Sequence, residues 1–115
     1  DLGTGAGNAN PEVADAVRRA VGSGVHVAVS TRVAAGAVAP IYTGGGAVDL
    51  AAAGALLTGT LKPGQARIAV LAALLAAGGP DRETDAGTLL RAVLDPAAVR
   101  ARPASDLYLV DGVGH

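Results

Sequence analysis

Asn8 ends the run Gly5-Ala6-Gly7-Asn8, just ahead of a helix start at Asn10-Pro11. A side-chain amide carries a donor and an acceptor, so it can hold an amino group through its oxygen or a carboxylate through its nitrogen. The glycines before it let backbone approach a ligand closely. An Asn in this place also closes an Asx-turn or takes a left-handed backbone with no ligand involved. The residues leave both readings open. A phosphate loop fails on spacing: counted from Gly3 and Gly5, G-x-G-x-x-G needs a glycine at position 8, which is Asn. No acidic residue closes the next strand, where Thr31-Arg32 stand instead, and there is no Gly-Lys-Ser/Thr sequence.

The other chemistry-bearing residues are scattered. His26 and His115 stand alone and there is no cysteine, which argues against a zinc cluster and removes disulfides. His26 lies within a strand and is expected to be a hydrogen-bonded structural histidine. Arg32, at a strand end, is expected in a structural ion pair, and Arg67 on an exposed or interface surface. Lys62 is the only lysine and belongs to a helix-start motif.

These residues need elements to place them. Asn10 is a good N-cap, Pro11 suits the first helical position and Glu12 the positive helix start. Val13, Ala16, Val17, Ala20 and Val21 form one apolar stripe, and Gly22-Ser23-Gly24 stops the helix. Residues 25–30 read as a strand, with Val25, Val27 and Val29 on one face and His26, Ala28 and Ser30 on the other. A connection ending at Pro40 leads to the loop Tyr42-Thr43-Gly44-Gly45-Gly46. A short helix is expected over 47–53, with Gly54 as its stop, and a strand over 55–58. The main helix runs from Pro63 to about Ala77, with Ile68, Leu71, Ala72 and Leu75 as its inner stripe. Val70 and Leu74 leave it apolar nearly all round, which predicts burial on several sides. Thr84 or Asp85 caps a further helix through Leu94, residues 97–105 read as loop and 107–110 as an edge strand. The alternation predicts an open α/β sheet.

The 115 residues fit one domain with a modest core of Ala, Val and Leu. There is no Phe, Trp or Met and only two Tyr, so each side chain buries little area and limited stability is expected. Nine basic and ten acidic residues, with no basic block, give no footprint for nucleic acid. The longest apolar run, residues 68–77, is too short to span a bilayer. The chain begins at Asp1 with no methionine or signal-type segment, as a processed terminus, a fragment or a trimmed piece would. Its compartment is not legible, with the cytoplasm slightly favoured.

The order of these features resembles bacterial L-asparaginases and glutaminase-asparaginases. Gly5-Ala6-Gly7-Asn8 is similar to that family's G-x-G-N loop, and residues 25–32 to its strand ending in Ser-Thr-Arg. Gly36-Ala37-Val38-Ala39-Pro40-Ile41-Tyr42 resembles the following loop. Gly59-Thr60-Leu61-Lys62-Pro63-Gly64-Gln65-Ala66-Arg67 resembles the stretch before the family's final long helix. The likeness covers about residues 3–77.

The resemblance implies the C-terminal asparaginase domain: a small Rossmann-like, mainly parallel open sheet with helices on both faces. It spans 1–115 as a single domain with a truncated first strand and an extension over 80–115. It implies hydrolysis of L-asparagine, or L-glutamine, to the acid and ammonia, without a cofactor, in a homotetramer. The nucleophilic threonine and its supporting residues would lie on an N-terminal domain whose motifs are absent here, so this chain carries no catalytic residue and would be inactive alone. Asn8 would contact the substrate's amino end in a neighbouring subunit's site. The family's acidic contact has no counterpart before Asp49; Tyr42 stands nearest, to bind substrate or merely to pack. Two alternatives remain: a non-catalytic Rossmann-like nucleotide or small-molecule module, and a glutaminase or amidotransferase relative.

Overall fold

The computed structural model describes residues 1–78 and 85–94. Thr84 and the expected loop and strand over 97–110 lie outside the described residues. In order, the elements are α1 (Pro11–Gly22), β1 (Ala28–Val29), α2 (Ala47–Ala52), β2 (Leu56–Leu57), α3 (Pro63–Ala77) and α4 (Ala86–Leu94). β1 and β2 pair in parallel, with Ala28 opposite Leu56 and Val29 opposite Leu57. Leu2 adds a parallel bridge to Thr31, through Leu2 N–H to Ser30 O at 3.0 Å and Arg32 N–H to Leu2 O at 3.2 Å. Three parallel segments therefore lie side by side, with 27–32 in the middle. This is the small open α/β arrangement expected from the alternation.

The helix ends follow from local chemistry. The Asn10 side chain accepts from Val13 N–H at 3.0 Å, and Pro11 occupies the first turn of α1. At the other end Gly24 N–H donates to Val21 O and Val25 N–H to Ala20 O. Gly54 N–H to Ala51 O and Ala55 N–H to Leu50 O repeat this pattern at the end of α2. Both are Schellman closures with a left-handed glycine, and each delivers the chain straight into a strand. The first also explains why the strand expected from residue 25 begins later. Val25 N–H serves the helix end, and Val25 is 53% exposed.

Alternation along the central segment separates two layers. Val29, with Val27 beside it, packs with Ala14, Val17, Val38, Leu50, Ala53 and Ala55, so α1 and α2 cover that face. Ala28 and Ser30 turn the other way, toward Pro63, Ala66, Arg67 and Val70 of α3. α4 packs on α3 and β2; Asp85 accepts from Thr88 N–H at 3.3 Å at its start. Leu50 is fully buried in the first layer. Leu50→Ala is expected to lower stability by about 2–5 kcal/mol in a urea melt of the chain.

Two expected faces differ. α1 buries Ala14 and Val17, not Val13 or Ala16. Its rotation is set by docking of the preceding loop, where Ala9 N–H donates to Gly45 O at 3.2 Å. α3 buries Ala66 and Ala73, while Ile68, Leu71, Leu74 and Leu75 are 41–73% exposed. A helix apolar on every side carries no facing signal in its sequence, and its main packing partner among the described elements is α4.

Candidate functional site

The glycine loop, the connection 32–46 and the stretch from Thr58 each leave the carboxyl end of a parallel segment, so they share one sheet edge. Open α/β sheets place ligand sites at that edge. Loop 3–10 is braced from beneath. Thr31, buried at the end of the central segment, donates its hydroxyl to Thr4 O at 2.7 Å and accepts from Val33 N–H at 3.1 Å. Thr4 then donates its hydroxyl to Asn8 O at 2.6 Å. Gly7 has a φ of +83°, and a Cβ there would lie 2.6 Å from Val38 Cγ1. No other residue lets the strand-following turn pass so close to Val38.

Asn8 sits where this turn meets the glycine-rich loop. Ala9 N–H donates to Gly45 O, and a Cβ on Gly46 would stand 3.0 Å from Asn8 Oδ1. The Asn8 amide oxygen is buried and has no hydrogen-bond partner among the described residues. It therefore closes no Asx-turn, and no non-glycine residue described has a positive φ. Both ligand-free roles open to Asn8 in the sequence are not taken.

Tyr42 lies on the rim of the same loop. Its carbonyl accepts from Val48 N–H at 3.2 Å, but the residue is 55% exposed. Asp49 closes the loop: its Oδ2 accepts from Gly45 N–H at 2.6 Å. The signal for this was present, an acidic residue at the third position of a helix reaching back to a backbone N–H before it. Lys62 was missed as well. Its ammonium donates to Val33 O at 2.6 Å and Gly36 O at 3.2 Å, across to the connection that holds Val38.

Away from this edge, Arg32 pairs with Asp1 at 3.0 Å, the ion pair expected of it. Both are solvated enough for the pair to add little. His26 departs from expectation. It is exposed, makes no hydrogen bond among the described residues, and borders a cleft of about 180 Å³ with Asp85, Gly87 and Arg91 at the amino end of the sheet. Among the described residues no three His, Cys, Asp or Glu converge to hold a metal ion. None of their helices is long and apolar enough to cross a membrane.

The family model of the glutaminase/asparaginase C-terminal domain matches residues 2–86. The chain belongs to that family. No curated protein and no solved structure gave a match. The span shared with the glutaminase/asparaginase C-terminal domain takes in the Asn8 turn, the glycine-rich loop, both strands and α3. α4 continues from its end and packs on α3 as part of the same layer.

Proposed function

We propose that this domain completes the substrate pocket of an amidohydrolase that converts L-asparagine, or L-glutamine, to the acid and ammonia. The carrying observation is the buried, unpartnered amide oxygen of Asn8 at the carboxyl edge of the sheet. Leaving such an acceptor unpaired costs about 1–3 kcal/mol, a cost recovered when a donor arrives. The α-ammonium of an amino-acid substrate is such a donor, and a hydrogen bond to a charged group is stronger than a neutral one. Tyr42, exposed on the same rim, is the second contact proposed. The role of Asn8 is to orient the substrate.

The chemistry belongs to an N-terminal domain carrying the nucleophilic threonine, in a homo-oligomer that brings the two together, a tetramer by family likeness. Thr4, Thr31 and Thr58 support this division. Each spends its hydroxyl proton on a backbone carbonyl, where a nucleophile would give it to a base. None of the described clefts is lined by Asn8, so the proposal requires an opposing surface to form the pocket. Against a nucleotide module stands the start of α1, where Asn10 already occupies Val13 N–H and Glu12 adds negative charge.

The test joins this chain to an asparaginase-type N-terminal domain and follows ammonia release. Activity is expected only with both pieces, and titration of the chain with ATP or NAD should be silent. Turnover by the chain alone, or saturable nucleotide binding, would refute the proposal.

A further inference from the structure

Lys62 reaches from the start of α3 to a loop that leaves a different strand. Its ammonium holds two carbonyls of one turn, Val33 O at 2.6 Å and Gly36 O at 3.2 Å. A strongly hydrated ammonium gives up much of its water to make such bonds. Two charge-assisted bonds to neutral acceptors repay that best where the turn itself needs holding. The far end of the same turn is tied to the same stretch of chain, since Val38 N–H donates to Gly59 O at 2.9 Å.

Between those ties the turn does one thing: it presents Val38. That side chain is buried, and its Cγ1 fills the place a Cβ of Gly7 would take. Ala39 N–H donates to Ala6 O at 3.3 Å, locking the turn to the residue before Gly7. The place a Cβ of Gly7 would take is bordered by both Val38 and Val29, and Asn8 is the next residue. The path runs from the ammonium through the turn and Val38 to the backbone that aims Asn8.

We infer that Lys62 is a positioning residue for Asn8, a strap that fixes the placement of the amide without touching it. The inference rests on the reading of Asn8 as the substrate contact. Lys62 also donates its backbone N–H to Gln65 Oε1 at 3.0 Å, which supports the start of α3. The two roles separate by substitution. Lys62→Met removes the strap and keeps the backbone bond; Gln65→Ala does the reverse.

In amide NMR spectra of the full chain, Lys62→Met should move the Val38, Ala39 and Asn8 signals and leave Leu56 and Thr58, in the sheet ladder, in place. Lys62→Arg should return the first group most of the way. In the assembled enzyme, Lys62→Met should raise KM for the amide substrate about tenfold, with kcat changed less, because a misaimed Asn8 oxygen weakens its bond to the substrate's amino end in the ground state and the transition state alike. Gln65→Ala should leave KM alone. The assignment is overturned if the Asn8 signals stay in place in Lys62→Met, or if Gln65→Ala moves them equally. It is also overturned if KM is unchanged in Lys62→Met while Asn8→Ala raises it. Should neither variant alter KM, the fault lies in the substrate role of Asn8, and the NMR shifts still decide whether Lys62 sets its placement.

Discussion

Gly45→Ala will break the contact between the two loops that form the candidate site and will destabilise the chain by more than about 3 kcal/mol. Gly45 has a φ of +89°, which disfavours any side chain. Collision costs more than this backbone conformation does. A Cβ there would lie 2.6 Å from Asn10 O and closer still to Asn10 C and Pro11 N. All three atoms are backbone at the start of α1, so nothing can rotate aside. To admit the methyl group the glycine-rich loop must withdraw, breaking Ala9 N–H to Gly45 O and Gly45 N–H to Asp49 Oδ2. Gly44 isolates the collision. Its φ is +73° and a Cβ there meets nothing within 4 Å, so Gly44→Ala carries only the conformational cost of about 1–2 kcal/mol. Urea midpoints of the two variants measure the difference. Equal midpoints would show that the loops are not packed together as described.

That contact was only half legible in the sequence. Gly44-Gly45-Gly46 marked a loop, but a run of glycines does not say which backbone comes close. The helix ends were readable because their causes are local. Asn10-Pro11 starts α1, and Gly24 and Gly54 sit where left-handed closure requires them. The two faces of the central segment were readable for the same kind of reason, since a period of two assigns Val29 and Ala28 to opposite layers without knowledge of what covers them. α3 shows where local reasoning stops. With Ile, Leu, Val and Ala around its whole circumference, no face outranked another, and the helix it packs on, α4, lies further along the chain. Lys62 lay beyond reach for a related reason. Its partners are carbonyls of residues 33 and 36, which any sequence would offer equally. Asn8 was singled out from its loop, but its unpaired oxygen is a property of the packed loops and has no counterpart in composition or spacing.

Asn8→Ala should separate stability from function. A residue kept for a turn stabilises the fold, and its loss lowers the unfolding midpoint. Asn8 does not follow that pattern, because its buried oxygen bonds to nothing among the described residues. Truncation removes an unsatisfied acceptor that costs about 1–3 kcal/mol, so the urea midpoint of the chain should hold or rise despite the small cavity left behind. In the assembled enzyme the same variant should lower kcat/KM for L-asparagine about a hundredfold, the scale expected when an orienting contact is lost while the nucleophile stays intact. Asn8→Asp sharpens the contrast. It keeps the shape but buries a carboxylate with no cation among the described side chains bonded to that position, so the chain alone should be destabilised. Excess L-asparagine, bringing an ammonium to that position in the assembled enzyme, should recover part of the loss by mass action. A midpoint that falls in Asn8→Ala together with an unchanged kcat/KM would make Asn8 a structural residue, and the rim would then need another contact for the substrate's amino group.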